Sequence, residues 1–184
     1  MNKRELILQA TLELITENGF HATPMSMISK KAKVAAGTIY HHFENKEVLL
    51  EALYSESKEK MGKSMQAAEL SGNSFEEDFK SIWTALFTFY ANNRLRFQFL
   101  EQYAQSPFIQ KETKEEQRKH YQPIINFLQQ GIEYGHMSAI DVEVMTEMVH
   151  GTVVSAAKIF HSVGNLNKST VSDLANFAWK AVKK

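Results

Sequence analysis

Between Lys33 and Glu47 a single short run gathers side chains able to hydrogen-bond outward: Thr38, Tyr40, His41 and His42, with Lys33 and Lys46 near its ends. Hydroxyls, imidazoles and ammonium groups at this spacing suit recognition of polar edges and phosphate oxygens. Nothing in the chain points to bond-breaking chemistry. The histidines form no His-Glu-x-x-His pair, and neither a serine elbow nor a glycine-rich phosphate loop occurs. His150 and His161 share a helical face but stand about three turns apart, too far to hold one metal ion, and read as core or interface histidines. No enzyme activity, metal or cofactor is expected.

Recognition of this kind needs an element that holds the polar face outward. Ile39 and Phe43, four apart, share the opposite face and predict a short helix over about Ala36–Phe43. Upstream, Met25–Ala32 reads as another short helix, anchored by Ile28 and Ala32. Two short helices joined by a tight turn, the second with a polar surface, outline a helix-turn-helix. The surrounding field is basic, with Lys30, Lys31, Lys33 and Lys46 against Glu44 alone. The chain as a whole balances 21 basic with 21 acidic residues, which argues against a general nucleic-acid coat.

Met27-Ile28 through Ala32, then Val34, Gly37-Thr38, Tyr40, His42-Phe43, Lys46-Glu47 and Leu49 together resemble the tetracycline-repressor-like (TetR) family of bacterial transcription regulators. The resemblance covers roughly the first 55 residues. Two positions depart from it. Lys33 stands where such turns usually have glycine, a cost of roughly 1 kcal/mol if the backbone is left-handed there. Ala35 replaces the usual serine cap, for about another 1 kcal/mol. The resemblance implies that Tyr40, Lys46 and the start of the fourth helix meet phosphates. It places Ala36, Gly37, Thr38 and His41 toward base edges, and His42 toward the DNA backbone, with Ser26 and Lys33 as further contacts. It also implies a homodimer that binds a double-stranded operator and is released by a small molecule. The alternative is a helical ligand- or protein-binding module with degenerate DNA binding.

The 184 residues suffice for a sizeable core in one or two small domains. With 43% hydrophobic and 23% charged residues the composition is that of a soluble globular chain. No apolar run spans a bilayer, so no membrane partner is expected, and the lack of a signal peptide predicts a cytoplasmic location. The absence of cysteine excludes disulfides and zinc-thiolate sites.

Helical periodicity recurs throughout and convincing period-two alternation does not, which predicts an all-α fold of about nine helices. Asn2 with Glu5 predicts a capping box ahead of a helix over about Lys3–Asn18, with a stripe of Leu6, Ala10 and Leu14 widened by Ile7 and Ile15. Gly19 suits a positive-φ stop, Thr23-Pro24 a helix start, and Asn45 a cap for a fourth helix running past residue 60. Leu70–Ser74 is the clearest break, and Ser74 with Glu77 predicts another capping box. Later helices are expected over about Arg94–Gln105, Lys111–Tyr134 with Pro123 kinking or restarting it, Val142–Ser162 after Asp141, and Thr170–Val182. The expected division is a three-helix DNA-binding domain over 1–50, a connecting helix over 51–70, and a larger ligand-binding and dimerisation domain over 71–184.

In that larger domain Phe79, Ile82, Trp83, Leu86, Phe87, Phe89 and Tyr90 sweep about 160° of one helix, wider than an ordinary core stripe. The family resemblance implies a small-molecule pocket here. Trp83, Phe87, Tyr90, Phe99 and Tyr103 are its apolar candidates, and Gln102, Tyr121 and His150 its polar ones, for an apolar or aromatic effector. Small residues at Thr152, Ser155 and Ala156, and the stripe containing Leu174 and Ala178, predict a four-helix dimer interface from the last two helices. The competing reading is that these helices close their own domain's core.

Overall fold

The computed structural model describes residues 2–108 and 115–184, and these form two compact units. Helices account for the fold; among the described residues the one β-type pairing is an isolated bridge between Met137 and Lys183.

The first unit comprises residues up to Glu59 together with Leu95–Gln117. Helix α1 (Lys3–Asn18) opens with the expected capping box: Glu5 N–H donates to Asn2 Oδ1 at 2.9 Å and Asn2 N–H to Glu5 Oε2 at 3.0 Å. Its buried face is broader than the predicted stripe, because Leu8 and Leu12 join Ile7, Ala10, Leu14 and Ile15 while Leu6 stays at the exposed edge. Gly19 ends the helix at φ +81°, a conformation that favours glycine.

Thr23 does not cap helix α2 (Met25–Lys31), contrary to the sequence reading. Its buried hydroxyl lies 2.8 Å from Gly19 O and 3.3 Å from Leu14 O, where it serves the carbonyls at the end of α1. Pro24 occupies the cap position of α2 with no side-chain hydrogen bond. Lys33 adopts φ +55° in the turn, and Ala35 precedes helix α3 (Ala36–His42) without a side-chain cap. Both departures from the family pattern are therefore present as backbone geometry.

A direct consequence can be measured. Lys33→Gly is expected to raise the unfolding free energy by about 1 kcal/mol by relieving the left-handed strain. A urea titration checks it, with a higher midpoint at unchanged m-value as the expected result.

Buried Ile39 and Phe43 fix α3 in place. Helix α4 (Lys46–Gln66) starts with Val48 N–H donating to Asn45 Oδ1 at 2.9 Å, and its Leu49, Leu50 and Leu53 are fully buried. Residues 95–104 of helix α6 (Arg94–Ala104) belong to this unit as well. Arg96 donates to Glu56 at 2.7 Å and to Ser57 Oγ at 2.9 Å, a largely buried tie between α6 and α4. Phe99 and Tyr103, one turn apart on α6, stack with ring centroids 5.4 Å apart and enclose Phe20 at 6.3 and 6.0 Å.

The second unit comprises Lys60–Arg94 and Arg118–Lys184. Helix α5 (Phe75–Asn92) is capped by Ser74, whose Oγ accepts from Glu77 N–H at 3.3 Å. All seven positions of its predicted apolar sweep are buried. The preceding loop wraps the buried carboxylate of Asp78, which accepts from Ser71 N–H at 2.6 Å, from the Ser71 hydroxyl at 3.1 Å and from Gly72 N–H.

The helix expected over Lys111–Tyr134 is interrupted. Residues 111–114 lie outside the described residues, a 3-10 turn covers Arg118–His120, and α7 begins afresh at Gln122 (Gln122–Glu133) with Pro123 in its first turn. Proline lacks the N–H to continue a helix but tolerates a helix start, which accounts for the restart. Helix α8 (Val142–Val163) is capped by Asp141 and ends at Gly164 in the left-handed region. Helix α9 (Lys168–Val182) starts two residues earlier than predicted, because Asn167 Oδ1 accepts from Thr170 N–H at 2.8 Å.

Candidate nucleic-acid interface

Helix α3 is held from beneath and open above. Ile39 and Phe43 are almost fully buried, whereas Tyr40 is 56% exposed and Ala36, Gly37, His41 and His42 are exposed. Thr38 is half-buried, so its hydroxyl and methyl sit at the margin of the face. The His41 and His42 rings lie edge to face at 5.4 Å. Ser26 on α2 and Lys33 in the turn are also exposed. A Cβ at Gly37 would meet nothing within 4 Å, so no internal packing demands glycine there. The first turn of α3 offers a low backbone surface for close approach by an outside body.

The basic field is narrower than the lysine count suggests. Lys31 pairs with Glu13 at 3.1 Å. Hydrogen bonds from Gln9 and then Lys31 hold the Glu13 carboxyl below its usual range. The Lys46 ammonium, half-buried, donates to the carbonyl of Phe20, and burial lowers its pKa. Lys46 is thus engaged in tying the start of α4 to the loop after α1. An ammonium has three donors, so this bond leaves hydrogens for other acceptors. The partner lies 26 residues upstream, and no spacing in the sequence signals it. Arg4 was also missed: its guanidinium lies 5.5 Å from the centroid of the Phe43 ring.

The residues expected to form a pocket divide between the units. Trp83, Phe87, Tyr90, Tyr121 and His150 belong to the second. There the Trp83 indole N–H donates to Thr152 Oγ1 at 2.8 Å, and its ring stacks with Phe87 at 5.8 Å. The Tyr90 hydroxyl lies 2.8 Å from His150 Nε2, and His161 Nε2 lies 3.0 Å from the Tyr90 carbonyl. Tyr121 is half-buried and its phenol is pushed up by burial. Phe99, Gln102 and Tyr103 belong to the first unit. Gln102 is exposed. Tyr103 packs against Tyr54 at 5.0 Å, and burial, with Glu51 and Glu47 adding, pushes its phenol up to about 12. The aromatic spacing of α6 fits a core around Phe20 as well as it fits a pocket, and the sequence alone does not separate the two.

Of the small residues predicted to make a dimer contact, two pack inside their own chain. Ala156 and Ala178 are buried within their own chain, where α8 packs against α5 and α9. Thr152 is half-buried, and its hydroxyl accepts from Trp83 and donates to Val149 O at 2.7 Å. Leu174 is half-buried, whereas Ser155 is exposed. The outward surface of α8 carries Val144, Met148, Ile159 and Val163 instead, and α9 presents Phe177. Among the described residues no cluster of histidine, aspartate and glutamate is arranged to hold a metal ion, and no helix is long and apolar enough to cross a membrane.

With this geometry in hand, comparison with known proteins is specific. Residues 7–53 match the family described as bacterial regulatory proteins, tetR family, and residues 74–183 match a tetracyclin repressor-like C-terminal domain. The fatty acid metabolism regulator protein of Bacillus subtilis is 33% identical over 160 residues, 80% of this chain and 77% of that protein. A crystal structure of a TetR-family regulator from Shewanella sp. PV-4 superposes over the whole of both chains with a TM-score of 0.92 at 27% identity. A Haemophilus influenzae TetR-family regulator shares the fold at a TM-score of 0.83 and 23% identity, over 99% of this chain and 97% of that one. These relatives are transcription regulators rather than enzymes, and the chain belongs to the TetR family of DNA-binding transcription regulators.

Proposed function

We propose that the chain is a cytoplasmic, homodimeric, ligand-responsive repressor that leaves a palindromic operator when a small apolar molecule binds. The observation that carries the DNA-reading half is α3 itself, with a buried apolar anchor beneath an exposed face of Tyr40, His41 and His42. In this reading Tyr40, His42, Lys33 and Lys46 set affinity through phosphates, while Ala36, Gly37, Thr38 and His41 set sequence preference, with Ser26 at the edge. Residues 1–50 read DNA, 51–70 connect, and 71–184 bind effector and dimerise.

The effector half draws on the buried aromatic face of α5, where Trp83, Phe87 and Tyr90 offer apolar surface and His150 and Tyr121 polar groups to orient a ligand. The relative named as a fatty acid metabolism regulator supports an effector with a long apolar chain. Release requires that the effector bind the DNA-incompetent state more tightly than the competent one, since equal affinity for both shifts nothing.

Selection of bound sites from random DNA tests the reading, with an inverted repeat as the expected product. On the selected site Thr38→Ala is expected to change discrimination at one or two base pairs by about 1–2 kcal/mol. Tyr40→Ala should weaken all sequences alike. Mobility-shift titrations, with circular dichroism to verify folding, read both. Recovery of no preferred sequence by the wild-type chain would sink the operator reading and leave a ligand-binding module.

A further inference from the structure

Arg4 carries a positive charge that no carboxylate of the described residues neutralises, close to the end of α3. It lies in the first turn of α1 and is exposed. A cation there opposes the helix dipole, so α1 gains nothing electrostatically from it. The neighbouring Glu5 is occupied elsewhere: one carboxylate oxygen accepts from Asn2 N–H at 3.0 Å and the other from the Asn2 side-chain amide at 3.2 Å. Among the described residues Arg4 forms no ion pair. What holds its guanidinium is the Phe43 ring, whose centroid lies 5.5 Å away. Phe43 directly follows α3 and is buried, which makes it a fixed support. The exposed His42 ring stands 6.3 Å from the Phe43 ring, and Lys46 opens α4 three residues later. Arg4 is thereby restrained beside the two residues already read as phosphate contacts at this end of α3. The ring attracts the cation without supplying an oxygen or nitrogen acceptor, so the guanidinium N–H donors stay available. A restrained, planar set of donors suits the paired oxygens of a phosphate and loses little side-chain freedom on binding.

We propose that Arg4 binds a phosphate of the operator and that Phe43 is the platform that orients it, an inference that rests on the DNA reading above. Affinity then depends on the ring as well as on the charge. Removing the charge deletes the contact, whereas removing the ring leaves the charge on a side chain free to swing away. The contact carries no sequence information, because every nucleotide presents the same phosphate. Phe43 thus serves twice, as the apolar anchor beneath α3 and as the seat of a cation supplied by α1. Lys3 is the matched comparison: it is the preceding residue, equally exposed, and among the described residues it rests on no ring. A general effect of positive charge near DNA would act through Lys3 and Arg4 alike.

Mobility-shift titrations of the full-length chain on a site selected from random DNA test it. Arg4→Gln is expected to weaken binding about tenfold per half-site on every sequence alike, and to lower the salt slope by about one per half-site. Lys3→Gln should cost less than about threefold. Arg4→Lys should keep the slope but lose about threefold, because an ammonium lacks the planar fork. Phe43→Leu, with circular dichroism to verify folding, should weaken the wild-type chain yet add little in the Arg4→Gln background. Neutralising single phosphates as methylphosphonates locates the contact: one position in each half-site should weaken the wild-type chain and leave Arg4→Gln unaffected. An Arg4→Gln loss no larger than that of Lys3→Gln, a Phe43→Leu loss of equal size with and without Arg4, or a methylphosphonate profile unchanged by Arg4→Gln would overturn the contact while leaving operator binding standing. A wild-type chain that selects no preferred sequence would instead overturn the operator reading and this contact with it.

Discussion

Trp83→Ala is expected to lower the unfolding free energy by about 3–5 kcal/mol, a large share of what a chain of this size possesses. The indole is 2% exposed and stacked on Phe87. Its removal deletes the largest fully buried side chain of the second unit and leaves a cavity that helices α5 and α8 cannot both close. The indole N–H also ties α5 to Thr152 on α8. Trp83→Phe should recover most of the packing but not that hydrogen bond, for a smaller loss of about 1–2 kcal/mol. Urea titrations followed by far-ultraviolet circular dichroism read both variants. Equal losses would mean that the hydrogen bond, not the packing, dominates.

Gly62→Ala should destabilise by about 2 kcal/mol, although alanine is the better helix former. A Cβ at this position would lie 2.1 Å from the His120 carbonyl oxygen and 2.8 Å from its carbon. Those are main-chain atoms, so no side-chain rotation removes the clash. The 3-10 turn over Arg118–His120 must move instead, and Gln66 would loosen its 2.9 Å bond to the same carbonyl. Overpacking costs about 1–3 kcal/mol, against a helix-propensity gain of about 1 kcal/mol, and a backbone clash this short belongs at or beyond the upper end. Thermal unfolding of the variant is the measurement, and a raised midpoint would show that the turn yields freely.

The elements that could be read from the sequence are those whose determinants are local. Asn2 with Glu5, Asn45 and Asp141 act within a few residues of themselves, and each cap forms as its spacing predicts. The broad face of α5 is legible because seven apolar residues in one helix leave little choice of environment. The turn at Lys33 and the uncapped Ala35 were visible as departures from a pattern, and the backbone takes the strained form they imply.

What escaped the sequence depends on distant partners. Thr23 stands at the right place to cap α2, yet the end of α1 supplies better acceptors. Lys46 also donates to the Phe20 carbonyl, a tie to the loop after α1 that no spacing in the sequence signals. Alanines at 156 and 178 signal close packing without saying whether the neighbour is the same chain, and here it is. Phe99 and Tyr103 signal an aromatic cluster without naming its centre, which is Phe20. In each case composition and spacing gave the kind of contact, and the partner had to come from tertiary structure.

The carboxylate at the base of the loop before α5 has a practical meaning for anyone inserting a reporter into this protein. Leu70–Ser74 is polar, exposed at most positions and glycine-bearing, the sort of stretch that usually accepts an epitope or a fluorescent probe. Here an insertion at Gly72 would pull Ser71 and Gly72 away from Asp78 and leave a buried carboxylate without their N–H groups. The junction of Asn165 and Leu166 is the better graft point. It follows a completed helix stop at Gly164 and precedes the Asn167 cap, so added sequence can leave and rejoin between two finished helices.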